Sequence, residues 1–89
     1  MDFFVKADCN IKKTGYSLYK NIQEKGFDNV QIVSVSPGAI GAAMKVVQSA
    51  NVLFAQEGRS IWVKPGYEDR DSPQGQSISV FILHLKASQ

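Results

Sequence analysis

The sequence predicts an α/β fold: a single compact β-α-β-α-β-β domain over residues 1–89, with a four-stranded mixed sheet and two helices. Three observations carry this expectation. Two segments with helical apolar spacing alternate with runs of β-branched and aromatic residues. Helix punctuation stands where those segments stop and start, at Gly26 and at Ser36-Pro37. Two β-prone runs close the chain around the polar turn EDRDSPQG.

Phe3 to Ala7 is the first β-prone run, and Asp8 to Lys13 is a polar loop. Thr14 caps a helix running to about Lys25, with Gly26 as its left-handed stop. Leu18, Tyr19 and Ile22 form its apolar face, and Lys13, Lys20, Gln23 and Glu24 lie largely away from it. Phe27 follows the stop, where a contact back onto the helix is common. Asp28-Asn29 turns the chain into a second strand, Val30 to Val35. Ser36 then caps a second helix with Pro37 in its first turn. Its stripe is Ile40, Ala43, Met44, Val47 and Ala50, and it ends near Asn51, with Val52 to Ala55 buried beyond it. Gly58 turns the chain into a third strand, Ser60 to Lys64, which Pro65-Gly66 interrupts or bulges. The polar turn is Glu68 to Gly75, and Gln76 to Lys86 is the fourth strand.

Two right-handed crossovers make the first three strands parallel, and the hairpin adds an antiparallel fourth. Both helices are expected on one face of the sheet. Yet the last strand is apolar on both sides, with Ile78, Val80 and Ile82 opposite Phe81, Leu83 and Leu85. A strand with one wet face would alternate. Either a second copy of the chain covers that face, as a homodimer or higher oligomer, or the chain's own loops do.

A chain that is 44% hydrophobic and 20% charged is too apolar for disorder. The net charge is +2, and the first 25 residues alone carry that excess through Lys6, Lys12, Lys13, Lys20 and Lys25. Cys9 is the only cysteine, so no intramolecular disulfide forms and a reducing compartment fits. MDFFVKADCN lacks a signal-peptide pattern, and the apolar runs are shorter than the ~20 residues of a membrane span. The expected location is cytoplasmic.

No catalytic constellation is legible, and no metal or cofactor is expected. His84 is the only histidine, and no nucleophile stands near it in sequence. Glu68, Asp69 and Asp71 surround Arg70 without the spacing of a calcium loop. VSPGAIG opens a helix after a strand but lacks both G-x-G-x-x-G and a Walker lysine. Gly38 to Gly41 fits a GxxG clamp, but a strand precedes it where the clamp needs a helix. Tight packing by small residues is the plainer reading, with a minor anion-binding role open at Gly38 and Ala39.

The segments VKA, SPGAIGAAMKVVQSA, IWVKPGYED and SISVFILHLK resemble the stage V sporulation protein S family, small bacterial proteins with an Alba-like fold. The resemblance covers nearly the whole chain and is most specific in the central segment. It implies a dimer that binds DNA or RNA in developmental regulation. In Alba, a lysine doublet after the first strand and a long basic hairpin hold nucleic acid. Lys12 and Lys13 resemble that doublet, in the loop before the first helix, and Arg70 lies where the hairpin tip would be. Lys20 and Lys45 are further candidate phosphate ligands. The chain departs from Alba at Ser36 and Pro37, where Alba is basic, and at EDRD, which is net acidic. The alternative is a self-assembling interaction module that touches no nucleic acid.

Overall fold

The structure, a computed structural model, describes residues 1–88. The elements are β1 (Asp2–Phe4), α1 (Ile11–Lys25), a 3-10 turn (Phe27–Asn29), β2 (Gln31–Ser34), α2 (Pro37–Ala55), β3 (Ser60–Asp71) and β4 (Ser77–Ser88). The sheet order is β1-β2-β4-β3. β1 and β2 are parallel, and β4 is antiparallel to both β2 and β3, so the first three strands point one way as expected.

Helix α1 begins earlier than Thr14. Asn10 is its cap, and the Asn10 side chain accepts a hydrogen bond from the Lys13 N–H at 3.0 Å. That satisfies a donor with no partner inside the helix and leaves Thr14 within the first turn. Gly26 ends the helix at φ +91, donating its N–H to the Ile22 carbonyl. Helix α2 is capped by Ser36, whose hydroxyl accepts from Ala39 N–H at 3.2 Å. It does not stop at Asn51. It runs another turn to bury Phe54, while Val52 stays 56% exposed, against the expected burial of that whole segment. Its buried stripe is Ala39, Ala42, Ala43, Val46, Val47, Ala50 and Phe54, so the larger Ile40 and Met44 fall outside it. Although α2 is long and apolar enough to cross a membrane, its apolar face fills the core of this fold.

Both helices pack on one face, where Leu18, Ile22, Val46 and Phe54 meet Ile32, Leu83 and Leu85 of the sheet. They run in the same direction: Gly15 lies against Ser49, and Tyr19 packs its ring edge on Phe54 at 4.7 Å.

Pro65-Gly66 neither interrupts nor bulges β3. The pairing with β4 runs in constant register from Ser60↔Ser88 to Asp71↔Ser77. β3 is an edge strand, where proline needs no partner for its missing N–H. Gly66 leaves room for a cross-strand neighbour, since a Cβ there would sit 3.0 Å from His84 Nε2. At the start of β3, the Asn51 side chain accepts from Ile61 N–H at 2.6 Å and donates to its carbonyl at 3.4 Å.

The reverse turn of the hairpin is Ser72 to Gln76, so EDRD belongs to a strand and Arg70 is not at the tip. Arg70 pairs opposite Ile78, six residues along β3 from Lys64, whose row contains His84, Gln31 and Asp2. In a flat sheet those rows would lie roughly 20 Å apart. Arg70 Nη1 nevertheless sits 2.7 Å from Asp2 Oδ2 and also holds Glu68 at 2.6 Å. The hairpin therefore twists and coils back over the helix-free face of its own sheet. Val33, Val80 and Ile82 are buried on that face. The chain itself thus covers the middle of the second apolar face, while Phe4, Val35 and Trp62 remain exposed there.

The Arg70 hydrogen bond, reinforced by Gln31, holds the Asp2 carboxyl below its ordinary value of 3.8. A depressed carboxyl stabilises the fold above its unfolded value and stops doing so as pH falls through the folded one. Asp2→Asn is therefore expected to lower unfolding free energy at neutral pH, with the gap to the parent closing below about pH 4. Urea titrations of both proteins across pH would check this; a gap that is constant with pH would exclude the latch.

Candidate nucleic-acid interface

The sequence-predicted cations do not form one cluster. Lys12 and Lys13 stand in the first turn of α1 and not in a loop, because Asn10 starts the helix. Lys20 lies two turns on from Lys13, about 10 Å along the axis. At 3.6 residues per turn, Lys12, Tyr16, Lys20 and Lys13 fall within about 100° of the helix circumference. All four are exposed, and Tyr16 lies amid the lysines at 55% exposure. The apolar face of α1, marked by buried Leu18 and Ile22, points elsewhere. The result is an outward stripe of three ammonium groups around one phenol ring.

Lys12 also edges an open cleft of about 320 Å³ between the helices, with Ser49, Val52 and Leu53 on its other wall. Lys45 of α2 edges a second, smaller cleft beside Cys9 and Ile11. The segment before α1 presses close there, since a Cβ on Gly38 would lie 3.3 Å from that of Ala7. Both helices therefore begin at the same end of the sheet, as connections leaving two parallel strands require. Neither has an acidic residue in its first turn. The positive ends of both macrodipoles and the nearby lysines make this end electropositive.

Arg70 stands apart. The sheet separates it from the helices, and its guanidinium is taken up by Asp2 and Glu68. Those partners raise its already high pKa, Asp2 contributing most. Its role is to hold the hairpin down. Arg59 is likewise engaged, stacked over Phe27 at 4.8 Å with Glu57 beside it. The neighbouring Tyr19 hydroxyl donates to Glu57, which raises the pKa of that phenol. By contrast, Lys12, Lys13, Lys20 and Lys45 make no ion pair among the described residues.

Tyr16 was not marked by sequence reasoning. Its signal was its spacing, four residues after Lys12 and four before Lys20, which acquires meaning only when the helix starts at Ile11. Among the described residues, no group of three or more His, Cys, Asp or Glu converges on a metal-sized site. No protein-family model matches the chain, and no curated protein matches it significantly.

Proposed function

We propose that the chain is a small nucleic-acid-binding regulatory protein of the stage V sporulation protein S type. In this reading it acts in the cytoplasm as a homodimer and holds DNA or RNA by backbone phosphates. The observation that carries the reading is the unpaired lysine stripe of α1, Lys12, Lys13 and Lys20 around exposed Tyr16. Ammonium groups free of carboxylate partners neutralise phosphates at no cost of breaking an existing pair. Lys45 extends the same electropositive end, and Arg70 has no part in it.

Fluorescence anisotropy with labelled duplex DNA and single-stranded RNA at low ionic strength tests the reading. Lys12→Ala/Lys13→Ala is expected to weaken binding to either and to reduce the slope of log K against log salt by about 2. No detectable binding at low salt would sink the proposal.

A second reading is favoured by the upper part of the helix-free sheet face. There Phe4 and Val35 border an apolar groove of about 360 Å³ that the hairpin leaves open. Self-assembly through that groove without nucleic acid is the rival. It calls for an oligomer that Phe4→Ser dissociates, together with a negative binding assay.

A further inference from the structure

The helix-free face carries a second group of side chains at its opposite end. Trp62 pairs across the hairpin with Lys86, and Lys64 pairs with His84. Directly opposed residues on one sheet face hold their Cβ atoms about 5 Å apart. The four therefore form a two-by-two patch on one surface. All are exposed, and Trp62 is 65% exposed, more than any other large apolar residue of the chain.

Burial does not explain this tryptophan. No aromatic ring or guanidinium stacks on it among the described residues. Lys64 and Lys86 have no carboxylate within ion-pair distance among those residues. Gly66 is the enabling position, because a side chain there would meet the His84 imidazole at 3.0 Å. Two open clefts, of about 310 and 400 Å³, flank the patch and share Asp28, His84 and Leu85 as walls. Asp28 is the one carboxylate at either cleft.

We propose that this patch binds single-stranded nucleic acid, with one base stacked on Trp62 and the adjoining phosphates at Lys64 and Lys86. The inference rests on the nucleic-acid reading above and narrows its ligand class. A flat exposed ring between unpaired ammonium groups matches the alternation of base and phosphate along a single strand. A duplex keeps its base faces stacked inside and cannot use the ring. Asp28, a wall of both clefts, repels phosphate there and leaves the adjoining phosphates to Lys64 and Lys86. The sheet thus stands between two contact surfaces. The α1 stripe takes phosphates of either form of nucleic acid, and the Trp62 patch takes unpaired bases.

Trp62 is the only tryptophan among the 89 residues, so its fluorescence reads this patch directly. Titrating the full chain with a thymidine 12-mer is expected to quench that emission. The same strand annealed to its complement should bind without quenching. Trp62→Ala should weaken single-strand affinity roughly 5- to 150-fold, the range one stacked base supplies, and leave duplex affinity unchanged. Trp62→Phe should retain part of the loss. Strand binding by anisotropy that neither quenches Trp62 nor responds to Trp62→Ala overturns this proposal, and the phosphate reading survives if Lys12→Ala/Lys13→Ala still weakens it. Light scattering that shows Trp62→Ala breaking a dimer also overturns it, by assigning the patch to contact between copies.

Discussion

Phe54→Ala is expected to be the most damaging single truncation in this protein, costing about 3–5 kcal/mol. Phe54 is fully buried in the last turn of α2, with Phe27 at 5.2 Å, Tyr19 edge-on at 4.7 Å and the Arg59 guanidinium 5.6 Å from its ring. Removing it takes away one ring from a cluster that ties α1, α2 and the turn before β2 together. Domains of this size are stable by only about 5–15 kcal/mol, so the loss is a large share of the total. A fall in melting temperature of more than about 10 °C follows. Val52→Ala, one half-turn away on the exposed side, should shift stability by no more than about 0.5 kcal/mol. Urea unfolding of the two variants separates a core role for this turn from a surface one. Near-equal midpoints would mean that the last turn of α2 does not dock.

The second large effect is expected at Gly15. A Cβ there would lie 2.5 Å from Ser49 Oγ, 2.6 Å from Ser49 Cβ and 3.3 Å from the Val46 carbonyl oxygen. The helices meet there with no room for a methyl group. Gly15→Ala ordinarily gains about 1 kcal/mol of helix propensity. Here the clash is expected to reverse the sign and cost about 1–3 kcal/mol, because α1 must lift from α2. Moving α1 also moves Lys12 and Lys13, so the proposed nucleic-acid affinity is expected to fall with stability. Ser49→Gly opens the contact from the other side and should restore much of the loss in the double variant. A thermodynamic cycle over the four proteins measures the coupling. A stabilising Gly15→Ala would show that the helices do not touch at this point.

Locally written features were legible in the sequence. Gly26 and Ser36-Pro37 act on backbone groups within a few residues of themselves, and both stand where they were expected. The order of elements and strand directions followed from them. What failed was choice among near neighbours. Asn10 and Thr14 are both good caps, and only the fold selects Asn10. That choice moves Lys12 and Lys13 from a loop into a helix and brings Tyr16 between Lys12 and Lys20. The face of α2 was misjudged at Ile40 and Met44 because an alanine-rich helix can bury its small side and leave the larger residues outside.

The coiled hairpin was foreseen only in outline, as the alternative in which the chain covers its own sheet, and its fastening was not legible. Its latch joins residues 68 positions apart, and its path depends on twist accumulated over four strands. For the same reason, Arg70 looked like a free cation at a tip when it is the fastening of an arm. The patch at Trp62 was hidden differently. Its residues alternate with core residues in two separate strands, and only the register Trp62↔Lys86 and Lys64↔His84 assembles them.

Strand β3 borders the sheet over its full length, a place where a twelve-residue run could recruit strands from other molecules. The Asn51 side chain already occupies the outward N–H and carbonyl of Ile61. Alternate residues share that outward direction, so Pro65 faces the same way and offers no N–H there. One end of the border is sealed and its middle is interrupted, while Asp69 and Asp71 charge the remainder. A second copy arriving along this border finds a broken ladder. The β3 border is thereby a poor template for strand addition.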